Sequence, residues 1–547
     1  MKKLIVMTSG LFAFLLGACN PTEKKEDLSS KASTDTVRIT ILQTADIHGQ
    51  LDSHPELFWE KGEIVFKERG GLANIATLFK QERIKNPNGT IIVDGGDMIQ
   101  GSGYASLSEG SIFSELIAKM EYDLMIPGNW EVVYGKEIML KVMNGYKTQV
   151  IAQNMQHESN QENLFPSYWV KEISGVKIGF IGVNDPDVPV RQNPTFSKGI
   201  SFSKIDDKLE KLIDKVKNEA QVDVLFLVTH IGVFKQIDLS NNKVTENVDY
   251  ILGNDTHERI REPIVGKYAK VAEPGAFGSF VGKLTLHFVE GKKVDDEYEL
   301  IEVDPEVYPA DEEMQKLIDQ AKKPYQNNLE TIIGYTNTPL FRYLTVENPM
   351  DNMITDAAKW KTGADIAISN GFRFGNPIVP INNQPAPITM ANLWNILPVN
   401  EKVKTGKASG KQIKDWLEQE IHNAFAPNPN ERFGGWMVRF SGMRVNFDIE
   451  KEKGDRVQSI TVNGKPIEQN TMYTISACVR PGDPINSLCR MDNLQDIIVK
   501  DYTIHDVVID YLKEHSPVSP SLDGRASSKK LDKYSFSTVP GTNYKFK

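Results

Sequence analysis

Cysteine is scarce in this chain: three residues in 547, too few and too scattered for the thiolate clusters of a structural zinc site. Long apolar runs are missing too. No stretch approaches the roughly 20 consecutive apolar residues that cross a bilayer, which excludes a multi-span membrane protein. Nor does charge of one sign dominate. Lys and Arg number 63 against 73 Asp and Glu, a formal net charge of −10, without long single-sign runs. A dedicated binder of nucleic-acid polymers needs a basic face and is disfavoured, although one phosphate pocket lined by a few cations is not. What is present is ordinary globular composition, 40% hydrophobic and 25% charged, neither collagen-like nor coiled-coil. At roughly 150 residues per domain the length argues for two or three domains.

The N-terminus has the build of a secretory signal. Lys2 and Lys3 precede a short apolar stretch over residues 4–16, too short to span a membrane. It closes on Leu16-Gly17-Ala18-Cys19, which resembles a bacterial lipobox. That resemblance implies a signal peptide over residues 1–18, lipidation at Cys19 and export to a bacterial membrane, in the periplasm or at the cell surface. Residues 19–36 are polar and read as a flexible tether. The remaining cysteines are Cys478 and Cys489. Bonded, they would close a short loop and contribute about 3 kcal/mol in the chain-entropy model. Two unpaired thiols stay open as the alternative, because sequence carries no Cβ geometry.

Between residues 37 and 308, short β-branched strands alternate with amphipathic helices. Strands are expected at 37–43, 90–93, 122–126, 176–183, 222–228 and 248–252, and helices at 71–85 and 203–220. In the second helix Leu209, Leu212, Ile213 and Val216 form a stripe. A hairpin is expected to close the region around Gly291. Such alternation predicts a layered α/β domain. A charged connecting helix, interrupted at Pro324, fills residues 309–330. A second α/β unit follows over 331–535, with helices at 350–361 and 409–424 and a strand at 365–369. Residues 536–547 read as a tail. There is no internal repeat.

Polar clusters fall where the predicted strands end. Thr44-Ala45-Asp46-Ile47-His48-Gly49 follows the first strand, Asp94-Gly95-Gly96-Asp97 the second and Pro127-Gly128-Asn129-Trp130-Glu131 the third; Thr229-His230 and Gly253-Asn254-Asp255-Thr256-His257 follow the fifth and sixth. Alone, one Asp or His at a strand end is a cap or turn residue. Five successive clusters place His48, His230 and His257, with Asp46, Asp97, Asp255 and Asn129, at one edge, where α/β sheets build their sites. Oxygen and imidazole donors suit Zn, Mn or Fe, and a carboxylate between two cations allows a two-metal centre. Asp97 is the expected bridge, since Gly95 and Gly96 let its backbone turn tightly.

On these motifs the chain resembles the calcineurin-like metallophosphoesterase superfamily and, within it, the 5′-nucleotidase family. Glu347-Asn348-Pro349-Met350-Asp351-Asn352 and Asn370-Gly371-Phe372-Arg373 extend the likeness into the second half. The resemblance implies a four-layer α/β/β/α sandwich joined by a helix to a substrate-binding domain. It implies two divalent metal ions: Asp46, His48, Asp97 and His257 on the first, Asp97, Asn129 and His230 on the second, with Asp255 at one further ligand position. It also implies attack on a small phosphoester or nucleotide by metal-bound hydroxide, with Asn129 steadying the developing charge. Asn370, Arg373 and Phe374 become candidate substrate-binding residues.

Three departures bear on function. The family's G-N-H-E is Gly128-Asn129-Trp130-Glu131 here, so Trp130 stands at the catalytic histidine's place, and an indole cannot usefully transfer a proton. Asp255 replaces the first His of G-H-x-H, as a ligand or as a turn residue. The two aromatics that clamp a nucleobase are absent from Leu397-Pro398-Val399-Asn400 and Arg480-Pro481-Gly482-Asp483-Pro484. Trp130, Gly371-Phe372-Arg373-Phe374-Gly375 and Met437-Val438-Arg439 resemble instead the SoxB-type thiosulfohydrolases, which implies a sulfur ester on a carrier protein. A phosphomonoesterase, a sulfur-ester hydrolase and a non-catalytic binding lipoprotein are therefore the three expectations. Persistence of the ligand set favours catalysis, and family class favours the phosphoester.

Overall fold

The computed structural model describes residues 36–432, 436–477, 479, 483–529 and 539. The signal segment, Cys19, most of the tether, the triplets 433–435 and 480–482, Cys478 and nearly all of the tail lie outside them. Cys489 is disulfide-bonded.

Two six-stranded sheets form the first domain. One runs Lys292–Glu302, Phe280–Val289, Thr36–Thr44, Thr90–Asp94, Leu124–Met125, Gln149–Val150; the other runs Ile264–Val265, Lys270–Ala272, Tyr250–Leu252, Val224–His230, Val176–Asn184, Tyr168–Ile173. Side chains alternate along a strand, and here both faces are covered. Ile39, Ile41, Ile91 and Val93 of the first sheet meet Phe180, Phe226 and Val228 of the second in one core. Phe226 stacks on Phe180 at 5.0 Å and on Tyr250 at 5.1 Å. On the outer faces, Leu42 and Ile92 pack under helix Leu72–Lys85, while Leu225 and Leu227 pack under the helix that begins at Asp206–Asp214. Burial on both sides explains why central strands such as Thr90–Asp94 and Val224–His230 are apolar at successive positions. The result is the expected four-layer sandwich, closed by the expected hairpin with Gly291 at its turn (φ 75°).

The connecting segment forms Glu312–Lys322 and Gln326–Leu329, broken around Pro324 as expected. Asp311 caps the first helix through Met314 N. Met314, Ile318 and Leu329 sink into the core of the first domain, so this segment is part of its helical layer rather than a free span. The second domain carries a five-stranded sheet, Arg439–Ser441, Ile366–Ser369, Met472–Ala477, Lys402–Ser409, Gln495–Thr503. Helices Pro349–Thr362, Gly410–Phe425 and Ile504–His515 pack around it.

Candidate metal centre

Loops at the carboxyl ends of five strands, three from the first sheet and two from the second, meet at one end of the sandwich. The chain is strained there. Asp46, His48, Asp97, Asp255 and His257 all have positive φ, between 50° and 92°, a conformation non-glycine residues adopt mainly where surroundings enforce it. Gly96 sits at φ 94°, and a Cβ on it would lie 2.3 Å from Gly128 N. Only glycine lets the Asp97 loop press against the Asn129 loop.

Second contacts orient the imidazoles. Nδ1 of His48 donates to Gln100 O at 2.9 Å and Nδ1 of His230 to Gly95 O at 2.8 Å, turning each Nε2 into the site. His48 Nε2 lies 3.0 Å from His257 Nε2 and 3.7 Å from Asp97 Oδ2. His230 Nε2 lies 3.1 Å from the same Asp97 oxygen and 3.8 Å from Asp46 Oδ1. Asp97 Oδ2 thus stands between the two histidines, as a bridging carboxylate should. Asp46, His48 and His257 form one compact set of donor atoms; Asp46, Asp97 and His230 form another. Asp46 Oδ1 and Asn129 Oδ1 are buried and accept no hydrogen bond. Orphaned acceptors beside facing imidazole nitrogens are costly, and divalent cations would satisfy them all. The residues fit such ions.

Charge in the cluster follows burial. Desolvation drives the Asp46 carboxyl well above its usual range, against the pull of His230. Burial alone would lower His230, but Asp97 and Asp46 override it and hold the imidazole well above its ordinary value. His48 and His257 are pushed down by burial, His257 also by His48 and Arg373. They stay neutral, the form that ligates.

Sequence reasoning missed the part Glu131 plays. Its buried carboxylate accepts from Asp97 N (2.9 Å), Met98 N (2.7 Å) and Gly128 N. One side chain thereby braces the loops that carry Asp97 and Asn129. Burial, with Asp97 close by, raises its pKa to about 7. A Glu two residues after Asn129 was the available signal.

The remaining expectations divide. Trp130 donates its backbone N–H to Asp97 Oδ1 at 2.7 Å and sets its indole edge-on to Phe374, 5.8 Å between centroids. Asp255 donates N–H to Asp46 Oδ2, yet its carboxylate accepts from both terminal guanidinium nitrogens of Arg191, at 2.8 and 3.1 Å. Phe374, from the second domain, lies against the His48 ring at 4.8 Å. Arg373 donates to buried Glu258 at 3.1 Å, lies over the Trp436 ring and lines a small cavity with His257. Asn370 accepts from Phe372 N and faces a cavity of about 200 Å³ between the domains. Trp130, Arg191, Phe196, Phe372 and Arg490 help line it, and so do Leu397 and Val399, in the stretch where the family resemblance would place one aromatic of a nucleobase clamp. Among the described residues no helix is long and apolar enough to cross a membrane.

Buried imidazoles and carboxylates gathered at the end of an α/β/β/α sandwich, beside an interdomain cavity, have the build of a divalent-metal centre. Residues 39–259 match the calcineurin-like phosphoesterase family and residues 332–477 the 5′-nucleotidase C-terminal domain. The chain belongs to the calcineurin-like metallophosphoesterases of the 5′-nucleotidase type. The trifunctional nucleotide phosphoesterase protein YfkN of Bacillus subtilis is 23% identical over 89% of this chain, which spans 34% of that protein's length. The sulfate thiohydrolase SoxB of Thermus thermophilus superposes with a TM-score of 0.80 at 20% identity, over 90% of this chain and 97% of its own. A 5′-nucleotidase precursor of Thermus thermophilus gives 0.76 at 22%, over 90% and 100%. At these identities the two structures share the fold.

Proposed function

We propose that the chain is an exported, lipid-anchored phosphomonoesterase acting on nucleotides or related small phosphoesters. The anchor rests on the lipobox-like run at Cys19. The chemistry rests on one observation: Asp46, His48, Asp97, Asn129, His230 and His257 converge beside the cavity that Trp130 and Phe374 border. Divalent ions held there would supply Lewis-acid charge and a nucleophile competent at neutral pH. Asp46, His48, Asp97 and His257 would hold one ion, and Asp97, Asn129 and His230 the other. The Asn129 amide, once its oxygen is engaged, has its N–H₂ left to steady a substrate oxygen. Trp130 and Phe374 wall the site from bulk water, which strengthens every charge interaction inside it.

A second reading is favoured by the same wall. An indole packed edge-on to a phenylalanine offers a leaving group no proton and suits a sulfur-bearing ester presented by a carrier protein. The test is a substrate screen on metal-loaded protein with nucleoside monophosphates, cyclic nucleotides, sugar nucleotides and a thiosulfonate-modified peptide. Turnover of phosphomonoesters is the expected result; turnover of the peptide alone moves the assignment to sulfur chemistry.

A further inference from the structure

We infer that Arg191 is a resident cation that withholds Asp255 from the metal centre, so the chain binds one divalent ion tightly and the second weakly. The inference rests on the metal-centre reading and adds an asymmetry to it. Arg191 ends the short helix Val188–Arg191, and its guanidinium reaches across to the loop that carries Asp255 and His257. Both Asp255 oxygens accept from it, at 2.8 and 3.1 Å, and a third bond runs to Asp185 at 2.5 Å. Asp185 is fully buried and has Lys235 3.7 Å away on its other side. Three charge-assisted bonds in a planar fork fix the arginine in place.

The second position therefore keeps Asp97, Asn129 and His230, while its fourth donor is already committed to a cation. Asp255 Oδ1 remains 3.8 Å from His230 Nε2, so an ion drawing on both would sit close to a fixed positive charge in a buried site, where repulsion is poorly screened. The first position is different. Among the described residues, the Asp46 and Asp97 carboxylates form no ion pair with a lysine or arginine, and Arg373, which lines the same small cavity as His257, is paired with Glu258 at 3.1 Å. Burial would strip Arg191 of its charge, but Asp255 and Asp185 more than offset this and hold its pKa above the ordinary value. A guanidinium keeps its charge at every working pH, so the competition persists.

Metal-stripped full-length protein titrated with Mn²⁺, read by equilibrium dialysis with metal analysis and by electron paramagnetic resonance, tests this. Wild type is expected to take one ion tightly and a second at least tenfold more weakly, with the spectrum of an isolated Mn²⁺ at one equivalent. Arg191→Met should tighten the second ion at least tenfold and give a spin-coupled pair at two equivalents. Adding Asp255→Asn should return that ion to weak binding, showing that the effect runs through Asp255. Should Arg191→Met fail to fold, Arg191→Lys, which cannot span both oxygens, should tighten the second ion severalfold. Two equally tight ions in wild type, or an unchanged second affinity in the folded variants, would overturn the inference and leave the metal centre standing. No Mn²⁺ bound by any form would overturn both.

Discussion

At the scale of single residues, Trp130 stands where the resemblance to the 5′-nucleotidase family implies a catalytic histidine. General acid–base assistance is worth about 10²–10⁴-fold, and neither the indole nor its backbone N–H, engaged by Asp97, can supply it. As a phosphatase the protein should hydrolyse aryl phosphates much faster than nucleoside monophosphates. Trp130→His should improve alkyl esters more than aryl ones. The check is kcat/KM across esters of graded leaving-group pKa; a shallow dependence in wild type would mean that another group delivers the proton. Glu131 yields a second prediction. Glu131→Ala leaves three backbone N–H groups of the metal loops without their acceptor, at about 1–3 kcal/mol for each that water cannot reach. Thermal unfolding should show a loss of about 3 kcal/mol, and metal affinity should fall at least tenfold. Unchanged affinity would show that the loops hold their shape without the brace.

Among elements, strands were more legible than loops, for a physical reason. Residues 224–228 are apolar on both faces because Phe226 and Val228 enter the core between the sheets while Leu225 and Leu227 meet helices. That pattern is local and can be read from sequence. The hairpin Ser53–Glu60 with Glu63–Gly70 is less legible because its apolar runs, residues 57–59 and 64–66, are only three residues long, are flanked by charged residues and pack into two small separate clusters. Helix Ile504–His515 shows what else went unread: Thr503 and Asp506 form a reciprocal capping box that the sequence displays but its short apolar stripe did not bring out. Inside it, His505 donates from Nε2 to Leu397 O at 2.8 Å and meets Trp394 edge-on. Burial lowers its pKa from 6.5 to about 4. The unfolded chain therefore takes up the proton first, and stability contributed at neutral pH is lost as pH falls from 6.5 towards 4. The full shift corresponds to about 3 kcal/mol. Urea unfolding of wild type and His505→Gln across that range measures it: the variant should lose less stability on acidification, and equal slopes would refute the assignment.

For the whole molecule, what sequence could not reveal is how the second domain meets the first. The metal ligands could be named because each sits in a short motif at a strand end. The residues Asn370–Phe374 were named too, but their partners in the first domain were not, since those lie more than 100 residues away. Arg373, expected to meet substrate, is paired with Glu258, and Phe374, expected in the substrate cleft, lies on His48. Asp255 shows the same limit: its place in the motif predicted a ligand, and only the fold brought Arg191 to it. The centre itself depends on Asp97, whose Oδ2 stands between His48 and His230. The most direct test is to strip wild type and Asp97→Ala of metal, restore Mn²⁺ or Zn²⁺, and measure bound ion together with hydrolysis of an aryl phosphate. Wild type should regain both, and Asp97→Ala neither. A stripped wild type that still turns over, or an Asp97→Ala variant that recovers two ions and full activity, would contradict the account.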